Sequence, residues 1–283
     1  FEENILSTEI TSTLLERGHL TYSSHREEVF LVDEIGRGLH EIETKRPHFM
    51  LIPNMDCNYR CVYCFENHLQ KKFHDKSSDI SYFKNNVVLR PELVSGIYES
   101  IETIQTSADC TPGGIIHLYG GEPLDSQNKK LLDLIFQIGE ARGYWFNAVT
   151  NGHHLDSFLP AIEKNILRGV QVTIDGPQLI HDPQRVYRGK GSSFDRIILN
   201  INKALMAGCN VDLRVHVSPE NLAHFEEVLS LFETEGWTNN ESVIIYANTL
   251  YGRDNEGKVY SDVKPDDISR HLSGMLGHYN NIF

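Results

Sequence analysis

Cysteine is too scarce in this 283-residue chain to staple a fold: there are five, three of them crowded into one short run, so a disulfide framework is excluded. No apolar run is long enough to span a bilayer, and nothing looks like a cleavable signal. We therefore expect a reducing, cytoplasmic setting and no membrane partner. Positive charge is also in short supply. Lys and Arg number 26 against 39 Asp and Glu, a formal charge of -13, which opposes nucleic acid and favours a basic partner such as a cationic peptide, with plain solubility the commoner reason for such a charge. Internal repeats, low-complexity tracts and long linkers are missing too. What remains is a hydrophobic content of 40%, enough for one large α/β domain with an appendage.

Residues 1–46 read as that appendage. Ile10, Leu14 and Leu15 have helical spacing before a stop at Gly18, and the β-prone Val29, Phe30, Leu31 and Val32 suggest a strand. It is expected to cover an edge or barrel end. Residues 47–250 form the main domain. Strands are expected at His48–Pro53, Ile115–Tyr119, Tyr144–Thr150, Val170–Asp175, Val211–Val217 and Val243–Ala247. A polar stretch runs over Lys71–Asn86. One helix opens at Pro91 and runs through Ile97 and Ile101, and another carries Leu131, Ile135 and Ile138 before Gly143. Ser193–Ala207 forms a third before Gly208, and Ser218 caps one with Pro219 at its first position. Helix-length crossovers require parallel strands with right-handed connections. Residues 251–283, helical from Asp266, are expected to be a C-terminal segment, read either as the start of a further region or as the end of a domain that works without one.

The densest chemistry lies in Cys57-Asn58-Tyr59-Arg60-Cys61-Val62-Tyr63-Cys64. Three thiolates on one loop suit three irons of a cubane and leave the fourth iron open, whereas an electron-transfer cubane normally takes four cysteines. Zinc is the alternative, with His68 or His74 completing a Cys₃His site. Gly120-Gly121-Glu122-Pro123 follows the second strand, and its glycines let backbone carbonyls approach a ligand closely where a Cβ would clash, or simply make a turn. Thr150-Asn151-Gly152 ends the next strand with groups suited to ribose hydroxyls or to a plain turn. Arg214 is a costly charge within a strand unless paired, by a ligand carboxylate or by Asp175 or Glu122.

Together the cysteine run and Gly120–Pro123 resemble the radical S-adenosylmethionine (SAM) enzymes. The resemblance implies an α/β fold of six βα units curved into a partial (β/α)₆ barrel with parallel strands, carrying a small N-terminal α/β appendage. It implies a [4Fe-4S] cluster on Cys57, Cys61 and Cys64, and SAM held by Gly120, Gly121, Glu122, Pro123, Thr150, Asn151 and Arg214. The Tyr63 backbone would lie against the adenine, unless that ring only packs, and Glu122 would face the methionine ammonium. An external electron donor such as flavodoxin or ferredoxin is implied as a partner.

Ile174-Asp175-Gly176-Pro177, His181-Asp182-Pro183-Gln184-Arg185 and Gly189-Lys190-Gly191-Ser192-Ser193-Phe194 resemble a narrower group that modifies peptides and proteins. On that resemblance the partner is a peptide or protein substrate. Asp175 and His181 then offer proton-transfer groups and Arg185 and Arg188 a clamp on a peptide, or each holds the loop together internally. A ribosomal peptide maturase forming a crosslink is the preferred expectation, sulfatase maturation the runner-up, and a non-catalytic zinc or Fe-S module the reading from another class. The group often continues into a cysteine-rich SPASM region. Here Cys110 and Cys209 cannot ligate a second cubane and read as buried or incidental thiols.

Overall fold

A computed structural model describes residues 20–66 and 87–249, together with Thr11, Ser12 and Leu15. Ile10, Leu14, His68, His74, the polar stretch Lys71–Asn86 and the helix expected from Asp266 lie outside the described residues.

The strands are β1 Phe49–Asn54, β2 Tyr59–Cys61, β3 Gly114–Gly120, β4 Tyr144–Thr150, β5 Leu167–Thr173, β6 Arg185–Tyr187, β7 Asn210–Val217 and β8 Val243–Thr249. The helices are α1 His25–Lys45, α2 Val94–Ser107, α3 Lys129–Ala141, α4 Leu159–Glu163, α5 Gln178–Gln184, α6 Phe194–Met206, α7 Pro219–Leu222 and α8 Phe225–Thr234. Six strands form one sheet in the order β1-β3-β4-β5-β7-β8. Every pairing in it is parallel, as the crossovers require. Among the described residues β1 and β8 are both edges, so the sheet does not close. It is the wall of a partial barrel.

Alternation along the strands puts one face into the core. Ile116, Leu118, Phe146, Val172, Leu213 and Val215 are buried and meet Leu132, Ile135, Ile201, Val228 and Phe232 of α3, α6 and α8 in one continuous cluster. Each such side chain contributes roughly 1.5–3 kcal/mol when fully buried, so this face dominates the stability of the fold. The opposite, concave face is open. Met50 and Ile52 of β1 are 64% and 44% exposed there and Ile244 of β8 is 46% exposed, with Arg214 and His216 of β7 between them.

The strand expected at Val29–Val32 is instead part of α1. Ser24 and Glu27 form a reciprocal cap: Ser24 N–H donates to Glu27 Oε2 at 2.7 Å and Glu27 N–H to Ser24 Oγ at 3.4 Å. Arg37 then pairs with Asp33 and Glu34 one turn away, at 2.7 and 2.6 Å. Four β-prone residues fill only about one turn, so start signal and charge spacing outweigh them. Among the described residues the appendage is therefore helical. It joins the main domain through Lys45, whose ammonium pairs with Asp109 at 2.6 Å. No described helix is long and apolar enough to cross a membrane.

Candidate active site

The cysteine loop leaves the C-terminal end of β1 and is held on two sides. On one, Gly121 N–H donates to Asn54 O at 3.0 Å and Glu122 N–H to Asp56 O at 2.8 Å. A Cβ on Gly120 would stand 2.4 Å from Asn54 O, and one on Gly121 2.3 Å from Asp56 O. The glycines therefore admit the neighbouring cysteine-loop backbone, a protein contact where the sequence suggested a ligand.

On the other side β2 and β6 form an antiparallel ribbon in which Tyr59 faces Tyr187 and Cys61 faces Arg185. Val62 N–H donates to Gln184 O at 3.0 Å, and Arg188 N–H to Asn58 O at 2.9 Å. The Arg188 side chain reaches Cys57 O at 2.8 Å and Asp56 Oδ1 at 3.0 Å. Arg188 thus fastens the cysteine loop. This ribbon was not expected, because three-residue strands leave no periodicity to read.

Glu122 is 1% exposed and its carboxylate is engaged by the protein. It accepts from Thr150 Oγ1 at 2.6 Å, Asn151 N–H at 2.7 Å and Leu124 N–H at 2.9 Å. Burial raises its pKa against the pull of those bonds. Pro123 lies in the same buried turn. The Asn151 amide donates to Asn58 Oδ1 at 2.6 Å and lies 3.8 Å from Cys57 Sγ. Thr150 and Asn151 therefore join β4 to the cysteine loop. Asn54, Asp56 and Asn58 were missed in the sequence, although short polar residues flanking a ligand run are natural loop organisers.

Beneath the loop lies a buried polar group. The Tyr63 hydroxyl donates to Asp175 Oδ2 and accepts from Arg185 Nη1, the latter at 2.7 Å. Asp175, His181 and Arg185 are 0%, 0% and 6% exposed. Burial opposes the charge on Arg185, but Tyr63, Cys61 and Asp175 around it raise its pKa further, so it is a fixed cation. Burial raises Asp175, with Arg185 opposing. His181 accepts from Asp175 N–H at 3.3 Å, and burial holds it down at about 3. Asp182 accepts from Ser193 N–H and Phe194 N–H, both at 2.9 Å, and so anchors the start of α6. The three residues expected to face substrate are thus interior, Asp175 and Arg185 joined through the Tyr63 hydroxyl and His181 bonded to the Asp175 backbone.

Arg214 donates to Thr173 Oγ1 at 3.2 and 3.1 Å. Among the described residues no carboxylate lies within salt-bridge range of it, so the alternative of an internal pairing with Asp175 or Glu122 is not formed. His216, two residues on and on the same face, lies 3.6 Å from Asp175 and packs edge-on to the Tyr63 ring at 5.0 Å. It went unremarked in the sequence, although its two-residue spacing from Arg214 carried the signal.

All five cysteines are free thiols. Cys209 is buried in the core, and Cys110 Sγ lies 3.2 Å from Thr44 O. Burial pushes Cys57 well up and Cys61 to about 11, a cost that binding to iron as thiolate removes. Tyr59 N–H points at Cys57 Sγ from 3.4 Å. Donors aimed at sulfur suit a cluster ligand. No three described His, Cys, Asp or Glu side chains converge on a single metal ion, whereas cubane ligands sit on separate irons. A polar cavity of about 400 Å³ adjoins the loop, lined among others by Asp56, Cys57, Asn58, Tyr187 and Arg188.

The Radical SAM superfamily model matches residues 51–232, and the chain belongs to that family. The family uses a [4Fe-4S] cluster and SAM. The chain is 24% identical over 277 residues to the radical SAM cyclopropyl synthase TigE of Paramaledivibacter caminithermalis, covering 94% of this chain and 54% of that one. It is 24% identical over 177 residues to an S-adenosylmethionine-dependent nucleotide dehydratase of a Fibrobacter species, covering 61% and 47%. The chain thus spans about half the length of these curated relatives. Among solved structures, native anSMEcpe with bound AdoMet and Cp18Cys peptide superposes with a TM-score of 0.61 at 15% identity, covering 82% of this chain and 59% of that one.

Proposed function

We propose that this chain is the catalytic core of a radical SAM enzyme that modifies a peptide, with crosslink formation the preferred outcome. Cys57, Cys61 and Cys64 would hold the cluster and Arg214 the SAM carboxylate. When bound and reduced by an external donor of the flavodoxin or ferredoxin class, cluster and SAM supply a 5'-deoxyadenosyl radical that abstracts hydrogen from the substrate. The protein's part is to seat the cofactors, aim them and exclude water.

The observation that carries this reading is the double fastening of the cysteine loop beside an open concave face. One fastening is the Gly120–Pro123 turn. The other is the Arg185–Tyr187 strand from the peptide-modifying motif series. Exposed Met50, Ile52 and Ile244 leave apolar surface for an extended ligand, and a peptide is bound in one similar structure. One relative is named for a nucleotide substrate, but a net charge of -13 opposes a polyphosphate.

The test is anaerobic reconstitution, incubation with SAM, dithionite and candidate peptides or nucleotides, and mass spectrometry. Deoxyadenosine release with a peptide two mass units lighter supports the crosslink. A modified nucleotide with unchanged peptides overturns the substrate class. A formylglycine product assigns the sulfatase-type reaction instead.

A further inference from the structure

We propose that the buried Arg185 guanidinium, fixed beside Cys61 by Tyr63 and only partly balanced by Asp175, raises the reduction potential of the cluster held by the cysteine loop. The inference rests on reading that loop as a cluster site and adds a task for residues that the motif resemblance assigned to substrate.

Arg185 and Cys61 are register partners across the β2/β6 ribbon, so the guanidinium enters the interior at the ligand itself. Arg185 and Asp175 do not form a direct fork. Their closest approach is 4.0 Å, with the Tyr63 hydroxyl bonded to both. Arg185 Nε and Asp175 Oδ1 are buried without hydrogen-bond partners, although buried polar atoms are normally satisfied. His216 lies 3.6 Å from Asp175, and burial keeps it neutral at about 3, so it adds no compensating charge. Arg214 is held at Thr173, and Arg188 is paired with Asp56 beside the Cys57 carbonyl. The cation therefore acts on Cys61 more strongly than the anion does, in a medium that screens both poorly.

The sign of the effect follows. Reduction adds one negative charge to the cluster, and nearby charge is one of the factors that set an Fe-S potential. A cation stabilises the reduced form and raises the potential, while an anion lowers it. Tyr63 is the positioning residue that keeps the cation in place.

The experiment is an EPR-monitored redox titration of the reconstituted protein without SAM, with iron counted per chain. Arg185→Gln is expected to shift the midpoint negative, Asp175→Asn to shift it positive, and Arg185→Lys to stay near the parent, all at parent iron content. A merely structural role predicts loss of iron or shifts of one sign. Shifts of the same sign, or no shift in cluster-loaded Arg185→Gln and Asp175→Asn, overturn the proposal. Should Arg185→Gln fail to hold iron, a positive shift in Asp175→Asn with an unshifted Arg185→Lys supports it, and any other pair of results overturns it. Failure of the parent protein to assemble any cluster would instead defeat the underlying site reading.

Discussion

Gly121 lies so close to Asp56 that a side chain between them would stand 2.3 Å from the Asp56 carbonyl oxygen and 2.5 Å from that of Met55. The contact joins the ends of β1 and β3, and it explains why the turn after β3 needs glycine in a register where φ is not itself restrictive. Both obstacles are backbone, so neither can rotate away.

Gly121→Ala should therefore displace the cysteine loop. The expected cost is about 1–3 kcal/mol, as for overpacking elsewhere, with iron uptake falling several-fold in a protein that still folds. Urea denaturation and iron per chain check this. Parent values in both would show that the turn does not seat the loop.

Asp182 tests whether the HDPQR motif is scaffold or substrate clamp. Its Oδ1 accepts from Ser193 Oγ at 2.7 Å in addition to the two backbone groups that open α6. Asp182→Ala should cost about 1–2 kcal/mol, the range for a lost helix cap, and leave deoxyadenosine release per cluster-loaded chain near parent. Unchanged stability with lost turnover would move the motif back to the substrate.

Acid should weaken the fold early. Burial holds His153 at about 4 and His181 and His216 at about 3, against an ordinary 6.5. Below pH 6.5 the unfolded chain binds protons that the folded chain refuses, so stability falls as pH drops. The ceiling is about 1.4 kcal/mol per pH unit for each histidine. Glu122 and Asp175, raised by burial, oppose this once the pH falls below their raised folded pKa values. Denaturation of the metal-free protein at pH 7 and pH 5 should show the lower value at pH 5, with a flatter dependence in His181→Gln. Equal or greater stability at pH 5 would contradict the assignment.

Much of this was legible in the residues. Tyr144–Thr150 alternates cleanly, Gly143 and Gly208 stop helices, and Ser218-Pro219 opens one, because each reflects a local rule. Cysteine spacing is local too. What could not be read depends on the fold bringing distant segments together. Nothing near Arg185 announces that it pairs with Cys61, and nothing near Gly121 announces Asp56. At Val29–Val32 the β propensity of four residues is overridden by the Ser24 and Glu27 cap that starts the helix. The partners of Glu122 and Asp175 likewise come from far along the chain, Thr150 and Asn151 for one and Tyr63 for the other.

Each thiolate should also be needed on its own. Cys61→Ala should abolish deoxyadenosine release and deplete iron, as read by chromatography and metal analysis of the same sample. Retained turnover would remove Cys61 from the ligand set.

Metal and sulfide analysis of the anaerobically reconstituted protein bears most directly on the central claim. The account predicts about four irons and four sulfides per chain, as a cubane requires, with a brown absorbance that bleaches under dithionite. One zinc per chain, no sulfide and no colour would contradict it.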